Sequence, residues 1–430
     1  MFWVFFVFGE TMKALNIFHF GDCHYSQQNL EESDRCVGHL VECAQNEIPD
    51  VIALTGDSTD HRLEAHSSAL RALALRIKQC SEIAPTILLQ GTYSHEPPGT
   101  IEMFGLLSGK YPIAIANRIC QIALTDKSTW LYSDGPLFRE DEIELKNIKG
   151  VFTCVPTLNK ASVAAALGAH EAAEEMGIQI QRYLKGAAVM NIYFQNNGIP
   201  TIGLSHGTVH GCVTEHGVPM MGNDHEFTQE ALFDAQCSAF MLSHIHKHQY
   251  WEKDQRLIAY AGSIGRFHYG EMGDKGFLKW TVGVESASFV LVVTPSRVLM
   301  HFDYDGVPDM CELTEASKHC LGANVRVRWQ IDQEHSQIVN REQIIGIFKE
   351  ANEIKIEVRI LPIQRTRCEG INAEISTAGK LKRWCNLTEV EPEPLVERLE
   401  VLSLMSSIEI ASNIIRDISN FENDMKLAMS

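Results

Sequence analysis

The chain is short of positive charge: 37 Lys plus Arg stand against 55 Asp plus Glu in 430 residues, a formal net charge of −18. That balance excludes a broad basic surface as the way to hold a polyanion, because contacts to phosphates draw most of their affinity from Lys and Arg. None of the twelve cysteines forms a Cys-x-x-Cys pair, so neither a zinc ribbon nor a dithiol redox motif is written here, and reduced thiols in a cytoplasmic setting are the expectation. No apolar run approaches the ~18 residues that a membrane helix requires. The opening residues 1–8 are apolar but have no basic flank and no small-residue cleavage site, which argues against a signal peptide. Met12-Lys13 stands just before the first strand-like run; translation is expected to start at Met12, with residues 1–12 a disordered N-terminal extension.

What is present is a repeated device. Asp22-Cys23-His24 follows one apolar run and His244-Ile245-His246 follows another, and in each the two outer residues are spaced to point the same way on an extended chain. Between them, Gly56-Asp57 follows Val51-Ile52-Ala53-Leu54-Thr55, Ser94-His95-Glu96 follows Ile87-Leu88-Leu89-Gln90-Gly91, and His206-Gly207 follows Thr201-Ile202-Gly203-Leu204-Ser205. A hydrophobic strand cannot bury a carboxylate or imidazole in its core, but it can present one at its carboxyl end, where open α/β sheets gather ligands. One site fed by five strand ends is the simplest account. Asp and His donors without Cys suit Mn, Fe or Zn, and about seven of them are too many for one ion with an open position. Two adjacent divalent ions fit better, and such pairs polarise a phosphate ester and lower the pKa of a bound water.

In this order the motifs resemble those of the calcineurin-like metallophosphoesterases, D-x-H, G-D, G-N-H-D/E, H and G-H-x-H, with Ser243 where the last motif has Gly. A narrower resemblance, to SbcD-type DNA-repair exonuclease subunits, lies in Ala259-Tyr260-Ala261-Gly262-Ser263, Phe267-His268-Tyr269-Gly270-Glu271, Lys275-Gly276-Phe277 and His206-Gly207-Thr208-Val209-His210-Gly211. It implies a two-sheet αββα sandwich with a small α+β C-terminal cap and C-terminal helices, holding two divalent ions, manganese first, with Mg, Fe or Zn as alternatives. Asp22, His24, Asp57 and His246 would hold one ion, Asp57 would bridge to a second held by His206 and His244, and His95 would be the catalytic histidine. The G-N-H-D/E motif is lengthened here to Gly91-Thr92-Tyr93-Ser94-His95-Glu96, which sets Ser94, a weaker ligand, where the metal-binding Asn is expected. Tyr93 in this loop is a candidate for stacking on a base.

Composition allows one large and one smaller core. The expected domains are 13–303 for the nuclease domain, 304–390 for a cap that guides DNA and 391–430 for a helical segment. Helical patterns cover 29–46, 65–82, 162–184 and 228–235, while apolar runs at 277–282, 289–293 and 298–302 are expected to complete the second sheet. Residues 321–385 run against the acidic trend, with 11 Lys plus Arg against 8 Asp plus Glu. Arg365, Arg367, Lys380, Lys382 and Arg383 are therefore the candidates for phosphate contact. Apolar residues at Leu395, Leu399, Leu402, Met405, Ile408, Ala411, Ile415 and Ile418 recur at helical spacing. Such a stripe either packs on its own domain or, as the resemblance implies, docks on an SbcC-like SMC-type ATPase. The expected activity is metal-dependent DNA phosphodiester hydrolysis in repair or recombination, with DNA and that ATPase as partners, a homodimer admitted and no membrane contact. A small-molecule phosphatase or cyclic-nucleotide phosphodiesterase on the same fold, and a weakly catalytic scaffold for DNA ends or the ATPase, are the rival readings.

Overall fold

The structure, a computed structural model, describes residues 14–107, 109–158, 169–214, 226–362 and 370–428. The expected extension, residues 1–12, lies outside them. In chain order the strands are β1 (Leu15–Phe20), β2 (Val51–Leu54), β3 (Thr86–Leu89), β4 (Ile113–Ala116), β5 (Cys120–Thr125), β6 (Trp130–Tyr132), β7 (Ile148–Val155), β8 (Thr201–His206) and β9 (Thr208–Val209). There follow β10 (Glu226–Phe227), β11 (Ala239–Ser243), β12 (Gln249–Lys253), β13 (Arg256–Tyr260), β14 (Gly276–Val282), β15 (Ala287–Val293), β16 (Leu299–Asp305), β17 (Asn324–Asp332) and β18 (Glu353–Leu361).

Two large sheets result, one ordered β15-β14-β1-β2-β3-β4 and the other β12-β13-β11-β8-β7-β5-β6. Alternation along the strands sorts their side chains into layers. Leu15, Ile17, Val51, Ala53, Ile87 and Leu89 of the first sheet meet Ile122, Phe152, Ile202, Leu204, Ala239 and Met241 of the second in one buried core. On the outer face of the first sheet, Phe18, Phe20, Ile52 and Leu54 pack on Leu40, Val41, Leu73 and Ile77 of the helices Leu30–Glu47 and Ser68–Ile83. On the outer face of the second, Phe240, Leu242 and Ile258 pack on Ile180 and Leu184 of the helix Ala169–Asn196 and on Ala231 and Leu232 of Gln229–Asp234. The chain is thus an αββα sandwich. Phe152 is fully buried between the sheets and meets the Trp130 ring edge-on at 5.7 Å. Phe152→Ala is expected to cost about 3–5 kcal/mol, read as a lowered urea midpoint of the full chain at unchanged slope.

The runs at 277–282 and 289–293 fold as strands but do not complete the second sheet. They extend the first, β14 pairing antiparallel with β1 (Leu15↔Val282 to His19↔Leu278) and β15 with β14. The alternation that buries Leu278, Trp280 and Val282 serves either sheet equally well, and only the non-local pairing with β1 decides. The run at 298–302 becomes β16, which joins β17 and β18 in a separate three-stranded sheet with β17 central.

Two compact units divide the chain, one of residues 1–304, 308–328 and 340–357, the other of 305–307, 329–339 and 358–430. The first unit thus takes in 308–328 and 340–357 along with the sandwich strands. In the second unit the C-terminal stripe falls on two helices, Glu393–Leu404 and Ser407–Ala428, separated at Ser406, whose hydroxyl and backbone N–H both donate to Glu409 at 2.8 Å. Leu402, Met405, Ile408, Ile415 and Ile418 are exposed, so these positions do not pack into their own domain.

Candidate metal centre

The five strand ends converge. Asp22 and His24 follow β1, Asp57 follows β2, His95 follows β3, His206 ends β8, and His244 and His246 follow β11. Among the described residues, three groups bring ligand atoms within 4.8 Å of one another: Asp22 with His24 and His246, Asp57 with His206 and His244, and His24 with Asp57 and His95. Asp57 belongs to two of them. Three of the contributing strands lie in one sheet and two in the other, so both sheets supply the site from the carboxyl ends of interior strands.

The local backbone is unusual where the ligands stand. Asp22, His24, Asp57 and His244 all have positive φ, of 48°, 45°, 50° and 103°, a conformation that costs a non-glycine residue of order 1–3 kcal/mol and clusters at functional sites. The turns that impose it are pinned. Asp22 N donates to Gly56 O at 3.0 Å, Cys23 N to Asp57 O at 2.8 Å, and His244 N to both carboxylate oxygens of Asp22 at 3.0 and 3.1 Å. Gly56 has φ +100°, and a Cβ there would lie 2.3 Å from Nδ1 of His206; both the left-handed turn and the close approach require glycine.

Partners on the far side of each imidazole set which nitrogen faces inward. His206 Nδ1 donates to Thr55 O at 2.9 Å, which leaves Nε2 facing Asp57 Oδ2 at 3.2 Å. His246 Nδ1 donates to Glu271 Oε1 at 2.5 Å, and its Nε2 lies 2.9 Å from Nε2 of His24. A carboxylate or carbonyl behind an imidazole is the arrangement that aims a metal-binding histidine. Burial works to lower the pKa of His206, but the Asp57 carboxylate overrides it and pushes the group up to about 9. Burial likewise raises Asp22 to about 6, while Asp57 is held well below the usual carboxylate range by His206 against its own burial. Buried carboxylates and imidazole lone pairs aimed at one another form a donor set that divalent ions satisfy, so the residues present fit the pair of ions that the sequence reading expects.

His95 is half-buried. Its Nδ1 donates to Asp60 O at 2.5 Å, which fixes the tautomer and leaves Nε2 for proton exchange.

Ser94 does not join the site. It is exposed, because the two extra residues Tyr93 and Ser94 form an outward turn closed by His95 N and Glu96 N on Thr92 O at 2.9 and 2.7 Å. Thr92 takes the inner position instead, with Oγ1 at 3.2 Å from both Asp57 Oδ2 and His206 Nε2. Counting the motif forward from Gly91 rather than back from His95 would have found it. Tyr93 is half-buried in that turn. Arg365 and Arg367 lie outside the described residues. Lys380, Lys382 and Arg383 are exposed on the helix Thr377–Thr388, with Arg383 paired to Glu374 at 3.7 Å.

Two residues to which the sequence alone assigns no role support His246. Glu271 and Lys275 are buried, Lys275 Nζ donates to His246 O at 2.7 Å and lies 3.6 Å from Glu271 Oε2, and Phe267 N donates to Glu271 Oε2 at 2.8 Å. Burial opposes ionisation of Glu271, but the hydrogen bond from His246 prevails and brings it to about 2. Glu271→Ala is expected to weaken metal affinity by about 10–100-fold, measured by calorimetric titration of the metal-free protein with Mn²⁺.

Among the described residues no helix is long and apolar enough to cross a membrane. No family model and no curated protein matches the sequence. Solved structures similar to this chain include a dimetal phosphatase from Danio rerio, 10% identical over 64% of this chain and 98% of that one at a TM-score of 0.41. GAP50, the anchor in the inner membrane complex of Plasmodium, is 11% identical over 66% and 90% at 0.36. A conserved protein described as a predicted phosphoesterase, from Streptococcus pneumoniae TIGR4, is 10% identical over 66% and 95% at 0.23.

Proposed function

We propose that this protein is a metal-dependent phosphodiesterase acting on DNA, with manganese as the working ion. The observation that carries the hydrolase reading is the set of three donor groups, Asp22 with His24 and His246, His24 with Asp57 and His95, and Asp57 with His206 and His244, linked through His24 and Asp57. Two divalent ions supply charge to polarise the phosphate and acidify a water. The chain's own residues do the rest. Asp22, His24, Asp57, His206, His244 and His246 hold the charge in a fixed place, Glu271 and the Thr55 carbonyl keep two imidazoles turned inward, and His95, anchored through Nδ1, donates a proton from Nε2 to the departing oxygen.

DNA as substrate is supported by the SbcD-like segment from Ala259 to Phe277 and by the locally basic stretch 321–385. An SMC-type ATPase as partner is supported by the exposed apolar positions of the C-terminal helices. The net charge of −18 favours a second reading, a phosphatase for small phosphate esters, since a polyanion gains little from an acidic surface.

The two readings separate in one experiment. The purified protein is given linear DNA, closed-circular DNA and nitrophenyl phosphate with Mn²⁺, Mg²⁺ or EDTA. Manganese-dependent loss of linear DNA, absent in EDTA, supports the nuclease. Turnover of nitrophenyl phosphate alone selects the phosphatase, and metal binding without either activity selects the scaffold.

A further inference from the structure

The two donor clusters are unequal. Around the first position stand Asp22, His24 and His246, to which a bridging Asp57, as the motif resemblance implies, would bring a second carboxylate. Around the second stand His206 and His244 with Asp57, and that shared carboxylate is the one anionic group among these residues. The Thr92 hydroxyl also stands at the second cluster, 3.2 Å from Asp57 Oδ2 and 3.2 Å from His206 Nε2.

Its placement is built into the loop. Glu96, fully buried, accepts from Gly91 N at 2.6 Å and from Ser58 N at 2.6 Å, tying the β3 loop to the β2 loop. The chain passes so close that a Cβ on Gly91 would lie 2.2 Å from Asp57 N. Thr92 N then donates to Asp57 Oδ1 at 2.6 Å. With its backbone held on one carboxylate oxygen of Asp57, Thr92 has its hydroxyl beside the other.

Resting on the metal reading above, we infer that Thr92 is a protein donor of the second position, and that its neutral hydroxyl makes this the weaker, exchangeable position. One ion is retained, and the second is taken up from the free pool. Affinity for hard divalent ions rises with the number of charged ligands, and a hydroxyl brings neither charge nor the stronger carbonyl-type oxygen of an amide. The protein therefore loads in two separable steps, and its activity follows the concentration of free metal through the second.

The test uses metal-free full-length protein titrated with Mn²⁺, following heat by calorimetry and free Mn²⁺ by its paramagnetic resonance signal. Wild type is expected to show one tight and one weaker site. Thr92→Val weakens the second by about 10-fold or more, a loss of the size that follows removal of a group ordering a metal ligand. Thr92→Asn tightens the second, both variants leave the tight site unchanged, and Ser94→Ala changes neither. Unchanged binding in both Thr92 variants, with the second site lost in His206→Ala, overturns the assignment of Thr92 while leaving the metal centre standing. Unchanged binding in His206→Ala and Asp22→Ala as well removes the metal centre itself.

Discussion

Asp57→Asn is expected to release metal from both positions and to lower hydrolysis by about 10³-fold or more. The estimate follows from the several kcal/mol of charge stabilisation that bound metals supply to a transition state, each 1.36 kcal/mol being tenfold in rate. Asp57 belongs to two of the three donor groups and is the one carboxylate in each of them, so neutralising it weakens both at once. It is also structural: its carboxylate accepts from Thr92 N at 2.6 Å and from Thr92 Oγ1 at 3.2 Å, and its backbone O receives Cys23 N and His24 N. Asparagine keeps the shape, the backbone contacts and tolerance of a positive φ, so far-ultraviolet circular dichroism should be unchanged. Metal content measured by atomic emission decides the matter. Stoichiometric metal in the folded variant would rule out a bridging role.

His95→Ala is the complementary experiment, in which metal stays and turnover goes. His95 is held by a backbone carbonyl, that of Asp60, and the pairs that order the proposed ligands His206 and His246 do not include it. Its loss is expected to lower the rate by roughly 10²–10⁴-fold, the usual worth of positioned proton transfer, at unchanged Mn²⁺ stoichiometry. The loss should appear in kcat more than in KM, because a proton donor acts on the departing oxygen rather than on the bound ground state. Full activity in the variant would remove His95 from the chemistry. Loss of metal together with activity would instead make it a ligand, consistent with its closeness to His24 and Asp57.

The strand ends were legible because burial leaves little freedom there: an Asp or His directly after Val51-Ile52-Ala53-Leu54 or Ile202-Gly203-Leu204 has to emerge where the strand leaves the core. The layering followed from alternation in the same way. The sheet to which 277–282 and 289–293 belong was not legible, since β14 pairs with a strand more than two hundred residues earlier and local pattern carries no information about that partner. Thr92 was hidden by an insertion, which makes a motif readable from either end with different results. Glu271 acquires a role only through the imidazole behind which it stands, and that contact is tertiary. The exposed stripe on the C-terminal helices marks a third kind of limit. Helical periodicity reports an apolar face, but not what covers it.

The convergence of both sheets on one site has a mechanical consequence. Donors from β1, β2 and β3 on one side and from β8 and β11 on the other would clasp the same ions, so that metal acts as a clip between the two halves of the sandwich. His24 and His246 stand 222 residues apart in the chain, and an ion gripped by both closes a loop of that length, as a long-range crosslink does. Peeling one sheet from the other would then require the ions to leave first, so the hinge at which the sandwich could open is the same place at which it is expected to work.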